Sequence, residues 1–231
     1  DESTQERFYG RSVKGRSRTG QFSISMTTND PELLKAVVAK TVTLIGKEER
    51  ILEAGAGLGH YAKALKNAIA KAGFKTSVKA TDLVGKNAGE GEAEIDIEEA
   101  NAYQLKKKFP QLRFNTVIFN ESIGSLDIVK AFEQANMVLL PGGRIIVTTY
   151  NKDKEPVPQD PTETKYLGYS IDEVKKALAQ NGFGDIQYED IPSAQGGALT
   201  FFTATKSSSS SLASAFIDGA EMFENNLFIN R

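Results

Sequence analysis

The sequence predicts an α/β fold built on a doubly wound, mostly parallel sheet. The stretch Ile51-Leu52-Glu53-Ala54-Gly55-Ala56-Gly57-Leu58-Gly59-His60-Tyr61 passes from a short apolar run through three glycines into a helical pattern. That pattern carries Tyr61, Leu65, Ala68 and Ala72 on one face. Strand, glycine turn and helix in this order form the opening unit of such a sheet. A second strand-like run, Thr76 to Asp82, ends in a carboxylate 23 residues beyond Gly59. Farther on, a helical pattern over residues 126–140 leads through Pro141-Gly142-Gly143 into a strand at residues 144–149. Strands alternating with helices imply parallel pairing through crossovers.

Length and composition bound the rest. A chain of 231 residues buries a full core and is most simply one domain with appendages. Its 40% hydrophobic and 25% charged residues are those of an ordinary globular protein. The net charge of −2 gives no general pull toward nucleic acid or an anionic membrane. With no cysteine, disulfides, thiolate catalysis and cysteine metal sites are excluded. No apolar run approaches the ~20 residues of a membrane span, and no signal-peptide pattern opens the sequence. The expectation is a soluble, cytoplasmic protein. Residue 1 is Asp rather than Met, as in a trimmed chain or a piece of something larger.

In chain order, residues 1–29 read as a polar, basic arm or lid, with Arg7, Arg11, Lys14, Arg16 and Arg18 among Phe8, Tyr9 and Phe22. Asp30-Pro31 reads as N-cap and first turn of a helix carrying Leu33, Leu34, Val37, Val38 and Thr41, with Gly46 as its stop. After the glycine turn, its helix and the strand ending at Asp82 comes a glycine-and-acid loop through Glu94, then a short strand at residues 93–97. Residues 98–109 read as a helix whose last turn holds Lys106, Lys107 and Lys108. Arg113 to Asn120 is the fourth strand, with its exit loop running through Glu121 to Leu126. Residues 151–168 form a long polar loop with three prolines, of the kind that is functional or disordered. Ser170-Ile171-Asp172-Glu173 is a capping box, opening a helix that ends near Asn181-Gly182. Strands at about residues 186–191 and 198–205 follow, joined through Gly196-Gly197. Residues 207–231 are a serine-rich linker and a tail with several aromatics, placed either back on the domain or against a partner.

The glycine turn carries the function. Glycine permits left-handed backbone angles and lets the main chain touch a ligand. The helix that follows aims free N–H groups at the turn. The dinucleotide fingerprint G-x-G-x-x-G needs a third glycine where His60 stands. The pattern present, Glu53-x-Gly55-x-Gly57-x-Gly59, resembles motif I of the class I S-adenosylmethionine-dependent methyltransferases. The helix, Leu140-Pro141-Gly142-Gly143, strand succession resembles the step before the fifth strand of that family. The resemblance spans residues 30–206. It implies a seven-stranded sheet closed by a terminal hairpin with one antiparallel strand, and S-adenosylmethionine (SAM) as cofactor.

Candidate residues follow. Asp82 ends its strand where a carboxylate can accept hydrogen bonds from two vicinal ribose hydroxyls. The resemblance extends the cofactor set to Glu53, Gly55, Ala56, Gly57, Gly59, His60, Leu83 and Asn120. It also matches Asp96 and Ile97 to the adenine, as the acid after the third strand and the residue packing on the ring, with Glu94, Glu98 and Glu99 also available as that acid. Ligands in open α/β sheets bind beyond the carboxyl ends of the strands, at the switch point. Asn120 and Glu121 land there and are candidates to face the transferred methyl, Glu121 as a base or as partner of a cationic amine. Tyr150, ending the fifth strand, is a lesser catalytic candidate.

Absences narrow the acceptor. Asn120 is followed by Glu121-Ser122-Ile123 rather than the Pro-Pro-Tyr/Phe of enzymes that methylate exocyclic amines. His60, the one histidine, lies in the cofactor turn, so a histidine base is not expected. The strand ends do not offer the acids of a metal-dependent enzyme, so no metal is expected. A small-molecule or peptide-side-chain acceptor remains. Two other readings stay open: a non-catalytic module on the same fold, and an NAD(P)-dependent oxidoreductase.

Overall fold

The computed structural model describes residues 25–83, 95–111, 113–150, 169–194 and 196–207. The basic arm up to residue 24, most of the glycine-and-acid loop, the proline-bearing loop and the tail beyond residue 207 lie outside the described residues.

Helices α1 (Met26–Asn29) and α2 (Pro31–Leu44) lead into β1 (Arg50–Ala54), α3 (His60–Lys71) and β2 (Ser77–Asp82). Then come β3 (Ile97–Glu99), α4 (Leu105–Lys108), β4 (Phe114–Asn120), α5 (Ile128–Val138) and β5 (Leu139–Tyr150). Helix α6 (Ile171–Gln180), β6 (Phe183–Pro192) and β7 (Ala198–Lys206) complete the described chain. The strands form one seven-stranded sheet in the order β3-β2-β1-β4-β5-β7-β6. Strands β1 to β5 pair in parallel, and β7 runs antiparallel to both β5 and β6. This is the mostly parallel sheet with a terminal antiparallel hairpin that the sequence predicts. The order reverses between β1 and β4, so the loops leaving these two strands diverge and open a crevice.

Local chemistry explains the helix ends. Asp30 accepts hydrogen bonds from the N–H groups of Glu32 and Leu33, and Pro31, which has no N–H, stands at the first turn. At α6 the Ser170 hydroxyl accepts from Glu173 N while the Glu173 carboxylate accepts from Ser170 N. Two apolar layers cover the sheet. Helices α5 and α6 bury Phe132, Val138, Val174 and Leu178 against Val117, Phe119 and Val147. Helices α2 and α3 bury Leu33, Val37, Tyr61 and Leu65 against Ile51, Ile118 and Ile146 on the other face. Each such side chain fully buried contributes roughly 1.5–3 kcal/mol. Among the described residues, no helix is long and apolar enough to cross a membrane.

Several expectations shift. The third strand lies at Ile97–Glu99 rather than residues 93–97, and the expected helix over 98–109 shrinks to a 3-10 turn, Ala102–Gln104, and the one-turn α4. In α3 the buried stripe is Tyr61, Ala62, Leu65 and Ile69; Ala68 is half-buried and Ala72 exposed. The Pro141-Gly142-Gly143 step sits inside β5 as an irregularity, where β5 advances five residues while β4 advances two. Gly46 is not in the left-handed region, and its N–H donates to Glu49 Oε1. Residues 26–29, expected within the arm, form α1 and pack on the domain.

Candidate active site

The loop leaving β1 is pinned to the end of β2. Both Gly55 N and Ala56 N donate to the Thr81 carbonyl at 2.9 Å, while Thr81 Oγ1 donates back to the Glu53 carbonyl at 3.1 Å. Gly57 N then donates to Asp82 Oδ2 at 2.8 Å. Asp82 is 3% exposed, and its carbonyl accepts from Ala100 N. Gly55, Gly57 and Gly59 all have positive φ, and Gly59 is the left-handed N-cap of α3. A Cβ on Gly59 would stand 2.9 Å from Ile95 and 3.0 Å from Ile97, whereas one on Gly57 would meet nothing within 4 Å. The turn is therefore closed toward the protein and open along its outer side at Gly57.

Beneath it lies a buried acid. Glu53 is 1% exposed, and its Oε2 has no hydrogen-bond partner among the described residues. Burial, reinforced by the charge of Asp82, pushes its carboxyl up to about 8. An unpartnered buried carboxylate oxygen is costly unless something donates to it. Glu53 pairs with Ile118 across β1 and β4, and Asn120 pairs with Thr148 across β4 and β5. Side chains alternate along strands, so Glu53, Asn120 and Thr148 share one face of the sheet. Tyr61, whose hydroxyl is 2.7 Å from Thr41 Oγ1, belongs to the same side and is pushed up chiefly by its own burial.

A scan against family models matches residues 26–205 to one described as a methyltransferase domain. The chain belongs to this family. It is a SAM-dependent methyltransferase. Comparison with curated proteins finds no match. Among solved structures, it is similar to Burkholderia thailandensis 1,6-didemethyltoxoflavin-N1-methyltransferase, determined with 1,6-didemethyltoxoflavin and S-adenosylhomocysteine (SAH). The identity is 16%, the TM-score 0.68, and 89% of this chain and 90% of that one are covered. A possible histamine N-methyltransferase from Thermotoga maritima is similar at 17% identity and TM-score 0.61, over 87% of this chain and 99% of that one. Phosphoethanolamine N-methyltransferase 2 of Haemonchus contortus, solved with phosphomonomethylethanolamine and SAH, is 18% identical with TM-score 0.52, over 74% and 52% of the two chains. At these identities the likeness is one of fold.

In this methyltransferase the exit of β4 faces the glycine turn. Ser122, 7% exposed, donates from Oγ to the Ala54 carbonyl at 3.0 Å. Asn120 is tied on both sides: its Oδ1 accepts from Thr148 Oγ1 at 2.8 Å and its Nδ2 donates to Thr27 Oγ1 at 3.3 Å. Glu121 has a positive φ of 51°, and its N–H donates to the Thr148 carbonyl at 3.0 Å. The Glu121 carboxylate accepts from Met26 N at 2.7 Å, Ser25 Oγ at 2.8 Å and Thr27 N at 3.1 Å, and also from Thr27 Oγ1. The residue expected as a base is thus engaged with the start of α1.

The other candidates fall at varied distances from this centre. Leu83 directly follows Asp82 and is half-buried. Ile97 is buried beside Gly59. His60 is the exposed first residue of α3. Tyr150 is buried in the α2–α3 layer, paired with Leu199 of β7. Asp96 corrects the expectation most clearly. It precedes β3 and is exposed, so it stands at the wrong end of that strand for an acid placed after it. The exit of β3 instead offers Asn101, whose side chain accepts from Tyr103 N at 2.8 Å. An Asn opening a helical turn is a capping signal visible in the sequence. Thr27 and Thr148 carry no comparable signal, because their roles arise only when distant segments meet.

Proposed function

We propose that this methyltransferase transfers the methyl group of SAM to a small-molecule acceptor by direct displacement. The observation that carries the reading is the partnerless, buried Oε2 of Glu53 beneath a glycine turn whose outer side is open. In this reading Glu53 receives the ammonium of the cofactor, the donor that this oxygen lacks. Asp82, at the end of β2, accepts from the ribose hydroxyls, and the backbone of Gly55, Ala56 and Gly57 lies against the chain between them. Leu83 supplies apolar surface toward the adenine, and Asn101 stands at the exit of β3 as its polar neighbour. Gly59, whose N–H donates to the Ala56 carbonyl at 2.8 Å, and His60 begin α3 at this end of the turn.

When bound, SAM supplies an electrophilic methyl carbon on a sulfonium. The chain's part is to hold an acceptor lone pair in line with that carbon. Orientation alone removes up to about 7–11 kcal/mol of a bimolecular barrier. Asn120, fixed by Thr148 and Thr27, presents a rigid edge at the end of β4 beside the crevice. Tyr150 is held in the apolar layer, which favours a packing part for its ring.

Support for a small acceptor comes from the net charge of −2 and from the small molecules named with two of the similar structures. The test is to incubate the protein with SAM and a panel of small amines, phenols, carboxylates and heteroaromatics, following SAH formation. Turnover dependent on one class of small acceptor is the expected result. Tight SAM binding with no turnover on any acceptor, peptides included, would instead indicate a non-catalytic module.

A further inference from the structure

The densest side-chain hydrogen bonding in the site links two segments far apart in sequence. Glu121, leaving β4, receives the first turn of α1 through two backbone N–H groups and two hydroxyls. A base must present a free lone pair to its substrate, and both oxygens of this carboxylate are already occupied by the start of α1. The same contacts describe a fastening. Asn120, at the end of β4 and itself held by the Thr148 hydroxyl of β5, completes it by donating to Thr27 Oγ1.

Three features show that the fastening has a functional position. The Glu121 backbone stands at φ 51°, in the left-handed region that non-glycine residues seldom adopt. Its neighbour Ser122 packs directly under Gly55 of the cofactor turn. By strand alternation, Glu53, Asn120 and Thr148 face the side of the sheet on which α1 lies, with Thr27 3% exposed and Met26 packed on the α2–α3 layer. The helix held by Glu121 therefore lies on the face of the sheet that carries Glu53 and its orphan oxygen.

We propose that Glu121 is a positioning residue for methyl transfer, holding α1 as the roof over the amino-acid end of the cofactor. This rests on the reading above in which Glu53 receives the cofactor ammonium. It makes α1 selective in its effect. Loosening it weakens contacts to the amino-acid end and leaves the adenosine end, held by Asp82 and the residues after β2 and β3, unchanged.

Calorimetric titration with two probes separates these ends: SAH, which has the amino-acid end, and 5′-methylthioadenosine, which lacks it. Glu121→Gly removes the carboxylate while retaining a residue at ease with positive φ, so the fold is spared. The expected result is SAH binding weakened about tenfold or more, with 5′-methylthioadenosine within about twofold of wild type. Thr27→Val, which removes one shared hydroxyl, shifts SAH the same way by less. Asp82→Ala weakens both probes. Equal losses of both probes in Glu121→Gly, or no loss of either, would overturn the proposal. A wild-type protein that binds neither SAH nor SAM would overturn the cofactor reading on which it stands, a failure visible before any variant is made.

Discussion

Gly55 and Ser122 compete for one space. A Cβ on Gly55 would lie 2.6 Å from Ser122 Cβ and 3.1 Å from its Oγ. Ser122 has no room to retreat, because its hydroxyl is bonded to the Ala54 carbonyl within a buried strand exit. The turn of β1 and the exit of β4 are thus pressed together at the switch point of the sheet, and Gly55 is what permits it.

Gly55→Ala adds this overlap to the strain of a non-glycine residue at φ 78°. The expected loss of stability is about 2–5 kcal/mol, measured by chemical denaturation. Adding Ser122→Gly recovers the steric share and leaves the backbone share of roughly 1–2 kcal/mol.

Glu53 ties stability to pH. Its carboxyl titrates near 8 in the folded chain against 4.5 unfolded. Between those values the folded state holds a proton that the unfolded state has released, so this contribution is full below pH 4.5 and is lost as pH rises through about 8. Glu53→Gln removes the penalty. In thermal melts without ligand, the variant should gain at least about 2 kcal/mol, or roughly 4–8 °C, over wild type near pH 8. The gain should fade toward about pH 4. The same variant should bind SAM more weakly, because the amide carries no charge to meet an ammonium. A pH-independent difference in melting would contradict the assignment.

Ser170→Ala supplies a control away from the crevice. Its capping box anchors α6 and touches nothing in the site. The variant should lose about 1 kcal/mol, a drop of roughly 2–4 °C, with SAH affinity unchanged in the same titration.

What the sequence makes legible is what local chemistry encodes. Asp30 and Ser170 cap helices through side chains two or three residues from their partners, and such signals depend on nothing distant. The three glycines mark a turn because their φ values are needed wherever the rest of the chain lies. β3 escapes because three residues show no clear periodicity, and the misplacement carries Asp96 with it. The run of lysines after Gln104 extends a helical pattern on paper, yet α4 stops after one turn, with Phe109 buried against Phe114. The bonds of Glu121 are the least legible part. Its partners are Ser25, Met26 and Thr27, more than 90 residues away. The same side chain that reads as a base by position is occupied by a contact that only the tertiary fold creates.

Asp82 tests the central claim most directly. Its carboxylate holds the glycine turn through Gly57 N and is the acceptor proposed for the ribose hydroxyls. Calorimetry with SAM, SAH and NAD, on wild type and Asp82→Ala, should show micromolar-range binding of the two adenosyl ligands alone. The variant should weaken both by roughly ten- to a hundred-fold, the worth of a charged hydrogen bond. Preference for NAD, or SAH affinity indifferent to Asp82, would contradict the account.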